Sequence, residues 1–173
     1  MRRIASLGAS PLVAAMPLLS FNVVRTKYSD KVLDHYQNPR NVGKLDKKDE
    51  NVVTAMMGAA ECGDMMQIGL KVNPDTLVIE DAKSKAFGCG SAIAASSFAT
   101  EAIRGKTLAE AMQLTNKEIA RELNLPPVKL HCSMLAEETI RAAVNKYIQR
   151  KPELKTKITR KPVEKKDETA ATA

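Results

Sequence analysis

Three strand-like runs follow one another in the middle of the sequence, and only helical patterns come after them. This order restricts the folds that the chain can adopt. The runs are Val52 to Ala59, Met65 to Val72 and Leu77 to Phe87. Turn-forming residues separate them, at Cys62-Gly63-Asp64 and at Asn73-Pro74-Asp75, so an antiparallel meander is the simplest arrangement. Strands followed by helices are typical of the α+β class.

Helical patterns flank the strands on both sides. The residues from Tyr28 to Gln37 predict a short helix that the Asn38-Pro39 step ends. Ser91 is predicted to cap an Ala-rich helix that closes on Gly105. Three further helices are predicted, the first two from capping-box patterns: they begin at Thr107 and at Thr115, and the last runs from about Ser133 to Gln149. We therefore expect a three-stranded antiparallel sheet packed against about five helices.

The two ends of the chain differ in composition from the middle. Residues 1–27 hold four basic residues, no acidic ones and many serines and apolar residues, which is typical of a mitochondrial transit peptide. A secretory signal is disfavoured because Pro11 and Pro17 interrupt its apolar run; a featureless leader is the third alternative. Residues 150–173 are charged and poor in large apolar groups, which predicts a disordered tail. The folded domain is expected to span residues 28–149.

The formal charge of +7 invites a nucleic-acid interpretation, but its distribution argues against one. The leader carries four basic residues, and the tail carries eight basic and four acidic residues. Residues 28–149 keep 15 basic and 16 acidic residues, so the predicted domain is nearly neutral. The chain has three cysteines and no CxxC pair, which argues against a disulfide-stapled secreted module and fits a reducing compartment.

Each cysteine falls at the end of a predicted element. Cys62 lies in the turn between the first two strands, beside Asp64. Cys89 lies between two glycines where the last strand meets a helix, and Cys132 follows His131 near the start of the last helix. A helix N-terminus favours the thiolate, which is both the nucleophile and the metal ligand.

Position alone leaves two interpretations of these residues open. The three cysteines together with Asp64 or His131 can make a four-coordinate site for zinc or an iron-sulfur cluster. Alternatively, each cysteine is a small buried apolar residue, Asp64 caps its own turn, and His131 hydrogen-bonds a carbonyl.

Two other features of the sequence call for interpretation, a proline-containing segment and a group of methionines. The segment Leu125-Pro126-Pro127-Val128-Lys129 cannot lie inside a helix because its prolines remove donors; it is either an interhelical loop or an exposed extended peptide that a partner grips. Four of the eight methionines lie in the strand region and are interpreted as flexible core-filling residues: Met56, Met57, Met65 and Met66.

From about residue 28 to residue 149 the chain resembles the IscU-type scaffold proteins of iron-sulfur cluster assembly, in their mitochondrial form. The matching stretches are DHYQNPRNVGKLD from Asp34, ECGDMM from Glu61, FGCGSAIAASS from Phe87 and LPPVKLHCSMLAEE from Leu125. The family has a small residue before the first cysteine, whereas this chain has Glu61.

The resemblance implies a SufE/IscU-like α+β fold with a site at one exposed end. It also implies that the site holds iron or zinc before sulfur arrives and then a transient [2Fe-2S] cluster. Cys132 is expected to accept persulfide sulfur, and Asp64 to keep the new cluster labile. The full ligand set implied is Cys62, Asp64, Cys89, His131 and Cys132.

The implied partners are proteins of the same assembly process. They are a cysteine desulfurase complex, frataxin, a ferredoxin, and a mitochondrial Hsp70 with its J-protein, the Hsp70 binding the segment from Leu125 to Lys129. Tyr28 matches a tyrosine implicated in a transient homodimer. The implied protein is a scaffold in the mitochondrial matrix and not an enzyme, with no nucleic-acid or membrane partner. A structural or regulatory zinc protein is the second interpretation, since the same ligands make a closed tetrahedral site.

Overall fold

The computed structural model describes residues 28–46, 48–60 and 62–152. Glu61, the predicted leader and all but the start of the predicted tail lie outside the described residues. The described residues form five helices, three strands and a 3₁₀ turn, in this order: α1 (Asp30–Gln37), β1 (Val52–Ala59), β2 (Asp64–Val72), β3 (Ile79–Phe87), α2 (Gly90–Ile103), α3 (Leu108–Ala111), α4 (Asn116–Glu122), the 3₁₀ turn (Pro127–Lys129) and α5 (Leu130–Arg150).

The strands form the predicted antiparallel meander, in the order β1-β2-β3. Strand β2 begins at Asp64, which pairs with Ala59 at the end of β1. Strand β3 begins two residues later than expected because Leu77 has a φ of +58° and belongs to the turn, where its N–H donates to the carbonyl of Asn73. The predicted fold class is confirmed.

The core lies between one face of the sheet and helices α2 and α5. Alternate residues of β2 point into it, and Met66, Ile68 and Leu70 are fully buried. Small alanines on α2 let the helix approach the sheet closely. On α5 the apolar residues Ile140 and Val144 are buried against the sheet. Helix α1 packs on α2 from outside.

The helix starts differ from the predicted ones where the cysteines lie. Cys89, with extended backbone, is the N-cap of α2, so the prediction that Ser91 caps this helix is wrong; Ser91 lies in the first turn with its hydroxyl buried. Helix α5 begins at Leu130 because the 3₁₀ turn leads directly into it. His131 and Cys132 therefore sit in the first turn of α5.

The other helix starts follow their side-chain caps. Thr107 and Glu110 form the full reciprocal capping box that the sequence predicts. The Thr115 hydroxyl accepts from the backbone N–H of Glu118. Ser29 caps α1, so this helix begins at Asp30 and Tyr28 lies outside it.

The two edges of the sheet are closed in different ways. Along β3, Ser84 exchanges backbone hydrogen bonds with Asn41 and Gly43 of the preceding loop. Along β1, side chains of α5 donate to edge carbonyls: Lys146 Nζ to Thr54 and Arg150 Nη1 to Val52, at 2.9 and 3.0 Å. Arg150 is the last residue of α5, so the ordered domain extends past the predicted boundary at residue 149.

The strand methionines divide between the two faces of the sheet. Met66 is buried and Met57 packs against the core, as predicted. Met56 and Met65 lie on the opposite face and are 61% and 44% exposed, so the prediction that they fill the core is wrong. Within the described residues, no helix is both long and apolar enough to cross a bilayer.

Candidate metal centre

The expected ligands meet at one end of the sheet, where β1 ends and β2, α2 and α5 begin. Two overlapping groups have their ligand atoms within 4.8 Å of one another. One contains Cys62, Asp64 and His131; the other contains Asp64, Cys89 and Cys132. Asp64 belongs to both groups, so the structure brings together all five side chains named as ligands.

Asp64 is the centre of the cluster and is 2% exposed. Its Oδ1 accepts the backbone N–H of Cys89 at 2.9 Å. Its Oδ2 lies 3.5 Å from the Cys89 sulfur and 3.7 Å from the Cys132 sulfur, each thiol being placed to donate. The two sulfurs are 3.4 Å apart. A single oxygen facing two thiols is an arrangement that a metal ion can replace with direct bonds to all three atoms.

The hydrogen bonds decide the charge of this carboxyl group. Burial by itself raises the pKa of Asp64, but donation from the Cys62 thiol, the Cys89 backbone and the two other thiols outweighs burial and leaves that pKa below its ordinary value. The pKa of Cys62 is raised, chiefly because its thiol donates to Asp64. In the metal-free protein the carboxylate is therefore charged and the thiol protonated, which favours a cation that displaces the thiol protons.

Cys132 departs from the expectation for a helix N-terminus. It is fully buried, and burial, followed by the neighbouring Cys89 thiol, raises its pKa. The tendency of a helix N-terminus to favour the thiolate is opposed at this position by burial, which disfavours the charged form. Cys62 is the exposed cysteine and Cys89 is half-buried.

His131 does not make the hydrogen bond to a carbonyl that one interpretation of the sequence gave it. Its Nε2 atom is buried, and among the described residues it has no hydrogen-bond partner. A buried unpaired polar atom costs about 1–3 kcal/mol. One nitrogen of the imidazole lies within 4.8 Å of the Cys62 and Asp64 ligand atoms, and a histidine beside a thiol and a carboxylate is a donor set suited to a metal ion.

Glycine at position 88 makes room for Asp64. A Cβ atom there would lie 2.1 Å from Asp64 Oδ1 and 2.6 Å from its Cγ, and the φ of +151° also disfavours side chains. Gly63, with φ +68°, gives the tight turn between Cys62 and Asp64. The sequence showed the glycines beside the cysteines, but not that Gly88 is required by a side chain 24 positions away.

The other two predicted site features lie beside the cluster. A Cβ on Gly90 would lie 3.7 Å from the ring of Tyr28, so this tyrosine covers the start of α2. The segment from Leu125 to Lys129 leads into His131, and its Val128 is 75% exposed. Three of its five residues, Pro127–Lys129, form a 3₁₀ turn and are not extended.

An exposed apolar patch next to the cluster was missed from the sequence. Met65 and Phe87 are paired across β2 and β3, and Phe87, two residues before Cys89, is 78% exposed. Met56 lies on the same face of β1. Successive side chains of a strand point to opposite faces, so one of each pair of adjacent methionines had to lie on the outer face; this alternation is the signal that indicates the patch.

The fold and the site together define a class of protein. It is a small α+β domain with three thiols, a carboxylate and an imidazole gathered at one exposed end of its sheet, a donor set suited to zinc, iron or iron-sulfur clusters.

Comparison with known proteins identifies the family. The model of the NifU-like N-terminal domain matches residues 27–154. The chain is 59% identical over 131 residues to the mitochondrial iron sulfur cluster assembly protein 1 of Eremothecium gossypii, covering 76% of this chain and 85% of that protein. It is 62% identical over 120 residues to the iron-sulfur cluster assembly scaffold protein IscU of Haemophilus influenzae, covering 69% and 94%. The chain belongs to the NifU-like N-terminal domain family and is of the IscU type, as its sequence predicts.

A solved structure supports the fold. The N-terminal part of a nitrogen-fixing NifU-like protein from Brucella abortus superposes with a TM-score of 0.55, at 16% identity, over 71% of this chain and 94% of that one.

Proposed function

We propose that this protein is a scaffold on which an iron-sulfur cluster is assembled and from which it is released. The observation that carries the proposal is the cluster around Asp64: the thiols of Cys89 and Cys132 face one carboxylate oxygen, and Cys62 and His131 complete the group. The names of the relatives, which are assembly scaffold proteins, support the same function.

The described ligands suit a cargo that must arrive and leave. Cys62, Cys89 and Cys132 supply soft sulfur for iron, and His131 supplies a borderline nitrogen. Asp64 supplies a hard oxygen, which holds a cluster iron less firmly than a fourth thiolate does. The exposure of Cys62 places one side of the site in contact with solvent and partners.

Sulfur is proposed to arrive as a persulfide on a cysteine desulfurase. The Cys132 thiolate attacks the outer sulfur, a new S–S bond forms on Cys132, and the desulfurase cysteine leaves as a thiolate. Two electrons per sulfur, from a ferredoxin, then reduce the persulfide to sulfide. Cys132 is buried in the first turn of α5, so this transfer requires that turn to open locally.

The surroundings of the site support protein partners. The exposed patch of Met56, Met65 and Phe87 offers a desulfurase an apolar surface beside the cysteines. Frataxin is proposed to stimulate the transfer.

Cluster release is assigned to a mitochondrial Hsp70 and its J-protein, which would grip the segment from Leu125 to Lys129. Because this segment continues into α5, pulling it out of its turn would disturb His131 and Cys132, which offers a physical route to release.

The mitochondrial names of the fungal relatives and the acid-free leader support a mitochondrial location, which we propose to be the matrix. We also propose that Tyr28, whose ring lies beside the start of α2, contacts a second copy in a transient dimer during [2Fe-2S] assembly.

Reconstitution tests the function. The purified protein is mixed with Fe²⁺, cysteine, a cysteine desulfurase and a reductant, and visible absorption is recorded. We expect iron-sulfur absorption on this protein, and after an apo-ferredoxin is added and the two proteins are separated, the absorption should be found on the ferredoxin. Asp64→Ala should lose its cluster to that acceptor more slowly; transfer at the wild-type rate would contradict the role given to Asp64.

A zinc protein is the second candidate, because the same atoms make a closed zinc site. If the protein is a structural or regulatory zinc protein, it should stay colourless and keep its zinc throughout the reconstitution. The unpaired His131 nitrogen fits both functions, so only this outcome separates them.

Persulfide acceptance is tested by mass spectrometry. After incubation with desulfurase and cysteine, the wild type should carry an added sulfur of about 32 Da, and Cys132→Ser should not. An adduct that disappears in Cys62→Ser and persists in Cys132→Ser would instead identify the exposed cysteine as the acceptor.

A further inference from the structure

A second concave surface lies along the outer edge of β1 and shares Met56 with the exposed apolar patch. It is an open pocket of about 570 Å³ between β1 and the C-terminal half of α5. The described residues that line it include two basic side chains and no acidic one: Val52, Thr54, Ala55, Met56, Gln67, Lys146 and Arg150. Its chemistry is therefore cationic at one wall and apolar at the other.

The two basic groups lack carboxylate partners among the described residues. Lys146 Nζ and Arg150 Nη1 donate to the carbonyls of Thr54 and Val52. Elsewhere on the described surface, exposed cations are often paired with acids, as Lys31 is with Glu122 and Arg141 with Glu137. A carboxylate entering the pocket would give Lys146 and Arg150 charge-assisted bonds, which are about twice as strong as bonds to neutral acceptors.

We propose that this pocket docks an extended acidic segment of a partner protein. The carbonyls of Val52 and Thr54 lie on the outer edge of β1 and already accept from Arg150 and Lys146, but the N–H of Thr54 faces the same way in an antiparallel ladder. A carbonyl of an extended peptide can accept from this N–H. Its acidic side chains meet Lys146 and Arg150, and an apolar side chain packs on the exposed Met56.

Charge distribution favours a protein segment over a nucleic acid or a membrane. Polyanion binding depends on a broad basic surface, whereas residues 28–149 hold 15 basic and 16 acidic residues. The positive charge at the pocket is local. A short segment with a few carboxylates matches a local pocket, and the apolar wall at Met56 has no use for a phosphate backbone.

The chain's own C-terminal segment is a weaker occupant. Residues 153–173 contain six basic and four acidic residues, so their net charge has the same sign as the pocket. Because they follow directly on Lys151 at the same end of α5, they add to the positive charge that an acidic partner would meet.

The test uses the full chain and a fluorescent decapeptide of alternating Glu and Leu as the probe. Binding is followed by fluorescence anisotropy, with a Gln/Leu decapeptide as the uncharged comparison. The double variant Lys146→Glu/Arg150→Glu should bind the Glu/Leu peptide at least about tenfold more weakly, while Lys117→Glu on the exposed face of α4 should bind as the wild type does. Lys146→Gln/Arg150→Gln, which keeps amide donors for the edge carbonyls, guards against loss of fold and should also bind more weakly.

Three results would overturn the proposal. The first is equal binding of the Gln/Leu peptide, and the second is unchanged binding by the double variants. The third is tighter binding to DNA duplex or phosphatidylserine vesicles than to the peptide, with the same loss in the double variants.

Discussion

The chain has two histidines, and their surroundings differ in a way that separates structure from function. His35, on α1, is buried, and its Nδ1 lies 2.9 Å from the Ser97 hydroxyl, with which it hydrogen-bonds. That hydroxyl also accepts the backbone N–H of Arg40 at 2.8 Å. The Phe98 ring meets the imidazole edge-on. His131 is half-buried, and its Nε2 has no partner among the described residues.

The difference separates a structural role for a buried polar group from a ligand-binding role. The groups around His35 satisfy one another, so they hold α1 on α2 and leave little for a ligand. Around His131 and Asp64, the thiol contacts are long and one nitrogen is unpaired. These side chains are not satisfied by one another, so a metal ion that binds them gains favourable interactions. Four predictions break or sharpen this comparison, beginning with the largest effect.

Gly88→Ala should damage the cysteine end most. The new methyl group would overlap Asp64 Oδ1 at 2.1 Å and would sit on a backbone of φ +151°, so we expect a loss of about 3 kcal/mol in the free energy of unfolding. Zn²⁺ affinity should fall as well, because Asp64 must move away from the thiols.

Gly105→Ala is the matched control for that change. Its φ is +79°, with nothing within 4 Å of the added Cβ, so it should cost only about 1 kcal/mol, with Zn²⁺ affinity unchanged. Urea unfolding and a chelator-competition titration measure both quantities. Equal losses of stability and metal affinity in the two variants would remove the special role of Gly88.

Replacing each histidine with alanine should change a different property: stability for His35 and Zn²⁺ affinity for His131. His35→Ala loses a buried hydrogen bond and a ring contact, for about 2 kcal/mol of stability, and keeps Zn²⁺ affinity. His131→Ala loses no hydrogen bond at Nε2 and should change stability by less than about 0.5 kcal/mol. Its Zn²⁺ affinity should fall at least about tenfold. The comparison fails if His131→Ala unfolds as readily as His35→Ala while binding zinc normally.

Ser97→Ala should have a smaller effect, confined to the α1–α2 contact. It leaves His35 Nδ1 and the Arg40 N–H without their shared partner, at a cost of about 1–2 kcal/mol. Ser96, whose hydroxyl donates to a carbonyl of its own helix, gives the control: Ser96→Ala should cost less. Urea unfolding measures both variants, and equal costs would show that the hydrogen bonds of Ser97 add nothing to stability.

The sequence determines local features of this fold better than it determines contacts between distant elements. The turns at Gly63 and Asn73 and the capping box at Thr107 were predicted correctly, because their signals lie within a few residues. Met56 and Met65 were placed in the core because a strand pattern does not say where the covering helices end. The same reasoning applies to the site.

The candidate ligands stand beside a glycine or at an element end, which makes a shared site one of two interpretations of the sequence, and the family resemblance supplies the full set. Their burial was not predicted, because it depends on packing among elements far apart in the sequence. Cys132 is therefore buried, although its position near a helix start did not indicate it. The start of α5 at Leu130 depends on a 3₁₀ turn that the two adjacent prolines do not predict.

The smallest expected effect is the response of His35 to pH. Burial lowers the pKa of His35 below its ordinary value of 6.5, with the positive charge of Arg40 adding and the carboxylates of Glu101 and Asp34 opposing. The folded protein therefore keeps this imidazole neutral at a pH where the unfolded chain protonates it. The stability that follows is complete above pH 6.5 and declines as the pH falls through that value, by at most about 1.4 kcal/mol per pH unit.

Urea unfolding of the metal-free protein at pH 7.5, 6.5 and 5.5 measures this decline, with His35→Gln as the comparison. Because glutamine does not titrate, the variant should lose less stability than the wild type between pH 7.5 and 5.5. A decline of equal size in both proteins would mean that the proton binds elsewhere, and that burial between α1 and α2 does not set the protonation of His35.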